Sequence, residues 1–340
     1  MLRSSSARRT TKVAAVAGLA LLAAACSSNS ATPTPSNSTS AAPVVVNVSM
    51  GIEPWIGYAP WYIAEAKGYF TAHNLKVNIV NFQTDADRNT ALLAGQSDVS
   101  NIDTGRTVQF AAKGLAATPL LIEDASTGAD AILSDKSIST AAQLKGQSVA
   151  YEFGTTSDLL LHYYLLKNNM ANTDVKSVNI PAANAGSLII AGKSKVAVTY
   201  EPYITEATSG AHGANTHVFF SSKDAPGLIS DYLVANPTWL AANAQAAKDL
   251  ILAWDDAITY FTTNRADAVA IMAKGVGATP ESLTATLAGV KLYSVADNKA
   301  MLASGELAQS FQSIGQTYVS MGTIPAPQDF AKVVNLTFLP

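Results

Sequence analysis

From Val44 onward the chain alternates short β-rich runs with stretches of helical spacing, and this rhythm limits the possible folds more than any other feature. Strands are expected at Val44–Met50, Val77–Phe82, Val99–Ile102, Leu120–Glu123, Ala131–Leu133, Ser148–Tyr151, Ser177–Ile180, Val196–Tyr200 and Tyr232–Val234. Helices are expected between them, at Trp61–Lys67, Ala86–Ala94, Thr107–Lys113, Ala141–Lys145, Ser157–Lys167 and Ser187–Gly192. A strand that returns to its sheet through a helix runs parallel to its predecessor. The rhythm therefore predicts an α/β fold with mixed, mostly parallel sheets covered by helices. After Asn236 the pattern turns almost wholly helical, through Pro237–Phe261, Ala266–Lys274, Pro280–Leu287 and Asn298–Ile314. No repeat of solenoid period is present.

In such sheets a ligand sits outside the carboxyl ends of the strands, where strand gives way to loop and helix. The segment Ile52–Phe70, "IEPWIGYAPWYIAEAKGYF", occupies that place after the first strand and holds two tryptophans and three tyrosines in nineteen residues. Pro60 can start a helix and Gly68 can end it. Trp55 and Tyr58, in the loop beside Gly57, are expected to line a cleft, whereas Trp61, Tyr69 and Phe70 are expected in the core.

Three other strand ends carry candidate ligand groups. Thr155, Thr156 and Ser157 follow Gly154 and precede an amphipathic helix, whose free N–H groups and neighbouring hydroxyls suit an oxyanion, or else simply cap the helix. Ser126 and Asp130 lie in "DASTGAD", where Gly128 lets the backbone approach a ligand. Glu201 and Tyr203 lie in "YEPY", with Glu201 either accepting a ligand N–H or capping the next helix. Carboxylates at Glu53, Asp103, Asp124 and Glu201 leave room for a ligand amine or ring N–H. Arg106 can grip an oxyanion but reads better as a solvated surface residue.

The amino terminus carries a different message. Arg3, Arg8, Arg9 and Lys12 precede the apolar run Val13–Ala25, which is too short to span a bilayer and right for a secretory signal. Loss of residues 1–25 takes four positive charges away, moving the formal charge from −3 to −7. No basic stripe remains, so nucleic acid is not an expected partner. Cys26, the only cysteine, ends "LLAAAC", which resembles a bacterial lipobox and points to lipidation of Cys26. Ser27–Pro43 is rich in Ser, Thr, Pro and Asn and reads as a flexible tether of at most about 60 Å.

Enzyme signatures are weak. His73, His162, His212 and His217 show no metal-ligand spacing, and no Gly-x-Ser-x-Gly elbow occurs. Gly192-Lys193-Ser194 imitates the end of a phosphate-binding loop, but its first glycine is misplaced and the preceding "SLIIA" reads as helix. No catalytic residues, metal or cofactor are expected.

The ordered set "GYAP", "KGYF", "ALLAGQSDVS", "STGADAIL", "AQLKGQSVAYEFGTTSD", "DVKSVNI" and "AVTYEPY" resembles the nitrate/sulfonate/taurine-type family of substrate-binding proteins of ABC importers. That family also includes binders of thiamine-precursor pyrimidines. The resemblance covers roughly residues 46–207. It implies a two-lobed periplasmic-binding-protein fold of type II, with lobe one at about 44–132 and 228–340, lobe two at about 133–227, and a two-strand hinge. It further implies a non-enzymatic, monomeric receptor held to the outer face of the membrane or in the periplasm, which passes a small solute to a permease and its ATPase. A small organic anion of sulfonate, taurine or nitrate type is the first expectation for the solute. A heteroaromatic vitamin precursor of thiamine-pyrimidine or flavin type is the second. An exported enzyme and a ligand-sensing lipoprotein are the rival classes. Lys195 stands where the family usually has aspartate, which bears on the hinge if that residue braces it.

Overall fold

A computed structural model describes residues 44–53 and 55–340. The expected signal segment, Cys26 and the tether lie outside the described residues. The strands, in chain order, are β1 Val46–Ile52, β2 Leu75–Asn81, β3 Val99–Asp103, β4 Thr118–Ser126, β5 Asp130–Asp135, β6 Ser148–Tyr151, β7 Lys176–Asn179, β8 Val196–Tyr200, β9 Thr216–Ser221, β10 Ser230–Ala235 and β11 Val290–Leu292. They form a six-stranded sheet of order β11-β4-β10-β3-β1-β2 and a five-stranded sheet of order β7-β6-β8-β5-β9.

Both sheets are mixed, as expected: most strands of each point one way, while β10 and β11 in the first sheet and β5 in the second run in reverse. Parallel pairs are β1–β2, β1–β3, β6–β7 and β6–β8, each with a helix in the connection. Pairs involving β4, β5 or β10 with their neighbours are antiparallel. The physical reason is local. β5 and β10 enter directly from the other sheet, with no crossover helix to carry the chain back, and so run against their neighbours. β1 starts at Val46, not Val44, because its register with β2 begins at Val46 opposite Leu75. Val44 and Val45 have no strand partner and stay exposed.

Two expected long helices are each broken. Pro237–Phe261 divides into Pro237–Ala242, capped by the Asn236 side chain, and Ala244–Thr263, with Asn243 (φ −132°) between them. Asn298–Ile314 divides into Val295–Ser304 and Glu306–Ser320 at Gly305, whose φ of +78° is the left-handed conformation glycine tolerates best. The edge strands β9 and β11 were not anticipated.

The first sheet's core centres on Trp61 and Trp254, both fully buried with ring centroids 4.9 Å apart, and on Phe70 stacked at 5.9 Å from Trp61. Tyr69 is half-buried against the same cluster. Asn298, also fully buried, clamps β4: it accepts from the Ile122 N–H at 2.8 Å and donates to the Ile122 carbonyl at 2.8 Å.

The chain passes between the sheets twice, over 127–129 and over 222–229. The two passages are tied together. Ser126 Oγ and Ser222 Oγ lie 2.7 Å apart, the Gly128 N–H donates to Ser222 Oγ at 2.8 Å, and the Ser126 N–H donates to the Ile229 carbonyl at 3.0 Å. Lys195 lies exposed at the opposite end of β8, since Val196 pairs with Ser134 while Tyr200 pairs with Asp130 beside the passage.

Candidate functional site

A cavity of about 260 Å³ opens between the facing edges of the two sheets. Its lining follows from the topology. Glu53, Trp55 and Tyr58 come after β1, Thr84, Asp85 and Arg88 after β2, and Asp103 ends β3. Across the gap, Glu152, Thr155 and Thr156 follow β6, Pro181 and Ala182 follow β7, and Tyr200 ends β8. Asp130 and Asp231 sit at the starts of β5 and β10, which run in the reverse sense to the parallel strands beside them. The cavity thus lies at the carboxyl ends of the parallel strands of both sheets.

The aromatic residues are anchored by the acids behind them. Trp55 Nε1 donates to Asp124 at 3.1 Å, and the Tyr58 hydroxyl donates to Asp231 at 2.7 Å. Asp124 and Asp231 are themselves opposite one another on β4 and β10. Gly57 permits this approach, because a Cβ there would lie 2.2 Å from Asp124 Oδ2 and 2.3 Å from Trp55 Nε1. The Trp55 ring meets Tyr200 of the second sheet edge-on, with centroids 6.3 Å apart.

Six carboxyl groups line the cavity (Glu53, Asp85, Asp103, Asp130, Glu152 and Asp231), against one guanidinium, that of Arg88. Arg88 is only 1% exposed and pairs with Asp85 and, at 3.4 Å, with Glu53. Burial opposes its charge, but these two acids outweigh burial and hold Arg88 protonated. Burial, together with acidic neighbours, pushes Glu53 up to about 8, Asp231 to about 7 and Asp130 to about 6. Arg88 opposes the rise at Glu53, the Tyr58 hydroxyl opposes it at Asp231, and the Ser126 hydroxyl opposes it at Asp130. Asp103 and Glu152 are raised by burial in the same sense. The cavity is short of positive charge.

A family model described as NMT1/THI5 like matches residues 55–268. The chain belongs to the NMT1/THI5-like family. A Brucella abortus protein described only as a candidate binding protein is 24% identical over 272 residues, covering 78% of this chain and 83% of its own length. Solved structures share the fold of this NMT1/THI5-like chain at lower identity. The periplasmic aliphatic sulphonate binding protein of Escherichia coli has a TM-score of 0.69 at 18% identity, over 86% of this chain and 97% of that one. The periplasmic nitrate-binding protein of Synechocystis has a TM-score of 0.60 at 16% identity, over 86% and 87%. The two-sheet architecture is that of periplasmic binding proteins.

The structure brings six of the ten expected site residues to the cavity of this NMT1/THI5-like chain: Trp55, Tyr58, Asp103, Asp130, Thr155 and Thr156. The other four lie outside that lining. Ser126 bonds Ser222 at the passage. Ser157 is buried in the first turn of its helix, away from the lining. Glu201 caps the following helix by accepting from the Thr205 N–H at 3.0 Å and its hydroxyl at 2.9 Å. Tyr203 packs edge-on against Tyr200 at 5.9 Å.

Arg106 is not the solvated residue expected, since it is half-buried and bonds the Gly154 carbonyl. The arginine in the cavity is Arg88, which the sequence reading missed together with Asp85, Glu152, Tyr200 and Asp231. The signal was available: "FQTDADR" directly follows β2, at the same kind of strand end used to choose Trp55. The "GKS" segment lies just past the helix Ala182–Ile190, with Gly192 left-handed at φ +68°. Among the described residues no cluster of His, Cys, Asp or Glu could hold a metal ion.

Proposed function

We propose that this chain is the solute-binding component of an ABC importer, that it holds a small molecule between its two sheets, and that this solute presents N–H donors or positive charge on a flat body. One observation carries the reading: a cavity lined from both sheets that sets six carboxyl groups and the rings of Trp55, Tyr58 and Tyr200 around a single, already paired arginine. An aminopyrimidine-type heteroaromatic supplies donors to the acids and a face to the rings. The small volume suits a solute of that size.

The two halves, expected at 44–132 with 228–340 and at 133–227, are taken to divide at the two tied passages, 127–129 and 222–229, and to move about them. Ligand touching both halves favours the closed arrangement. Lipidated Cys26 and the Ser/Thr/Pro tether hold the receptor, as a monomer, on the outer face of the membrane, where it delivers solute to the permease and its ATPase. It performs no chemistry on the solute.

An anionic solute is the second reading, favoured by one feature. The helix Thr156–Lys167 starts at the cavity with Thr155 as an N-cap whose hydroxyl does not cap it.

A thermal-shift and calorimetric panel separates these readings, using an aminopyrimidine, a flavin, taurine, an alkanesulfonate and nitrate. We expect saturable binding of the aminopyrimidine and none of nitrate. A donor solute binds the ionised acids, so at pH 7 binding expels protons from Glu53 (about 8) and Asp231 (about 7). Its affinity therefore rises from pH 6 to pH 8. Tight binding of the sulfonate with no proton release refutes the charge reading and leaves the receptor reading standing. Failure of every solute class refutes both.

A further inference from the structure

Beside the cavity, Arg106 reaches from one half of the molecule to the other. It lies on the helix Thr104–Ala112, three residues past the cavity acid Asp103, whose side chain accepts from the Arg106 N–H at 2.7 Å. Its Nη2 donates to the carbonyl of Gly154, in the turn after β6 that leads into Thr155 and Thr156. Its Nη1 donates to Gln109 at 3.1 Å, which aims the guanidinium. Gly154 is held from behind, its N–H donating to Asp158 at 2.8 Å, and it sits at φ +74°. Away from the two passages, this is the one side-chain hydrogen bond joining the two halves among the described residues.

We propose that Arg106 is a positioning residue that latches the closed arrangement: its guanidinium, on the half built around the first sheet, draws in the ligand-facing Gly154–Thr156 turn of the other half. The bond is charge-assisted and breaks when the halves part, so it favours the closed form without touching solute. Several facts set this bond apart from an incidental surface contact. Arg106 is half-buried, its Nε has no partner, and both ends of the bond adjoin lining residues. Gln109 and Asp158 hold donor and acceptor in place from either side. The proposal rests on the reading of two halves that close over a solute, and it deepens that reading by naming what holds them.

The test needs no solute. Nitroxides are placed on full-length protein by Thr90→Cys and Asn184→Cys, with Cys26→Ser to leave only those two thiols. Both positions are exposed, on helices that flank the cavity from opposite sides. Pulsed dipolar spectroscopy then compares Arg106 with Arg106→Met, which keeps the apolar stem and removes the donors. We expect a short-distance population that Arg106→Met loses to a longer one, with the melting temperature unchanged. Identical distance distributions in the two proteins overturn the latch. If Arg106→Met does not fold, Arg106→Lys carries the same test: a partial shift to longer distance supports the latch, and no shift overturns it. A solute panel that binds nothing while this shift persists overturns the receptor reading and not the latch.

Discussion

Glu123 offers the sharpest test of the electrostatics beneath the cavity. It sits on β4 with no solvent exposure and accepts from Trp61 Nε1 at 2.7 Å and from Asn101 Nδ2 at 2.7 and 2.8 Å. Burial outweighs these donors and pushes its carboxyl up to about 8. In the unfolded chain the group titrates near 4.5. Between these values the folded state keeps a proton that the unfolded state has lost. The unfolded state binds fewer protons, so stability falls as pH rises across that window. At about 1.4 kcal/mol per pH unit, the loss through this one group between pH 5 and pH 8 is about 3–4 kcal/mol. Glu123→Gln removes the titration. It also sets an amide N–H₂ against the Asn101 donor, a mismatch of about 1 kcal/mol that Asn101 can relieve by turning its unpartnered Oδ1 toward it. The variant should therefore be no more stable than the parent at pH 5 and more stable at pH 8. Urea unfolding at pH 5, 6, 7 and 8, followed by tryptophan fluorescence, reads the difference. The cavity acids titrate in both proteins and largely cancel. A stability difference that stays constant to within about 1 kcal/mol over this range would refute the assignment of a buried, proton-retaining Glu123.

Two further substitutions test the packing that supports the site. Asn298→Ala leaves the Ile122 N–H and carbonyl without their side-chain partners in the interior and should cost about 2–4 kcal/mol in urea unfolding. A loss below about 0.5 kcal/mol would show that the clamp on β4 is dispensable. Gly186→Ala places a Cβ 2.6 Å from Tyr203 Cβ and 2.7 Å from Thr199 Oγ1, so the helix Ala182–Ile190 must move off β8. Overpacking of this kind costs about 1–3 kcal/mol and lowers the melting temperature, whereas an unchanged melting temperature would refute the contact.

How far the site was legible depends on what each residue needed. Trp55 and Tyr58 could be placed at the cavity because they follow a strand and flank a glycine, both local features. Ser157 and Glu201 looked equally suitable, yet a rotation of about 100° per helical residue turns Ser157 inward, and Glu201 finds its donor four residues on in Thr205. Asp231 shows no ligand signal in sequence. It enters the cavity because β10 returns 173 residues after Tyr58 and lies antiparallel to β3. The strand β9 did carry a signal, in "THVFF". Half-exposed edge strands alternate poorly, and its rings Phe219 and Phe220 pack on Tyr164, each at 5.1 Å.

The sequence by itself determined the α/β class, most elements to within a few residues, the helix starts and stops marked by Pro, Gly and capping side chains, and the family. These are short-range properties, set by periodicity and by what each residue permits its own backbone. Only the tertiary structure decided the strand order and the sense of β5 and β10, and with them the gathering of six carboxyl groups from both sheets around Arg88. Charge density in a cavity, and the proton affinities that follow from it, arise from burial and from neighbours distant along the chain, which no local pattern encodes.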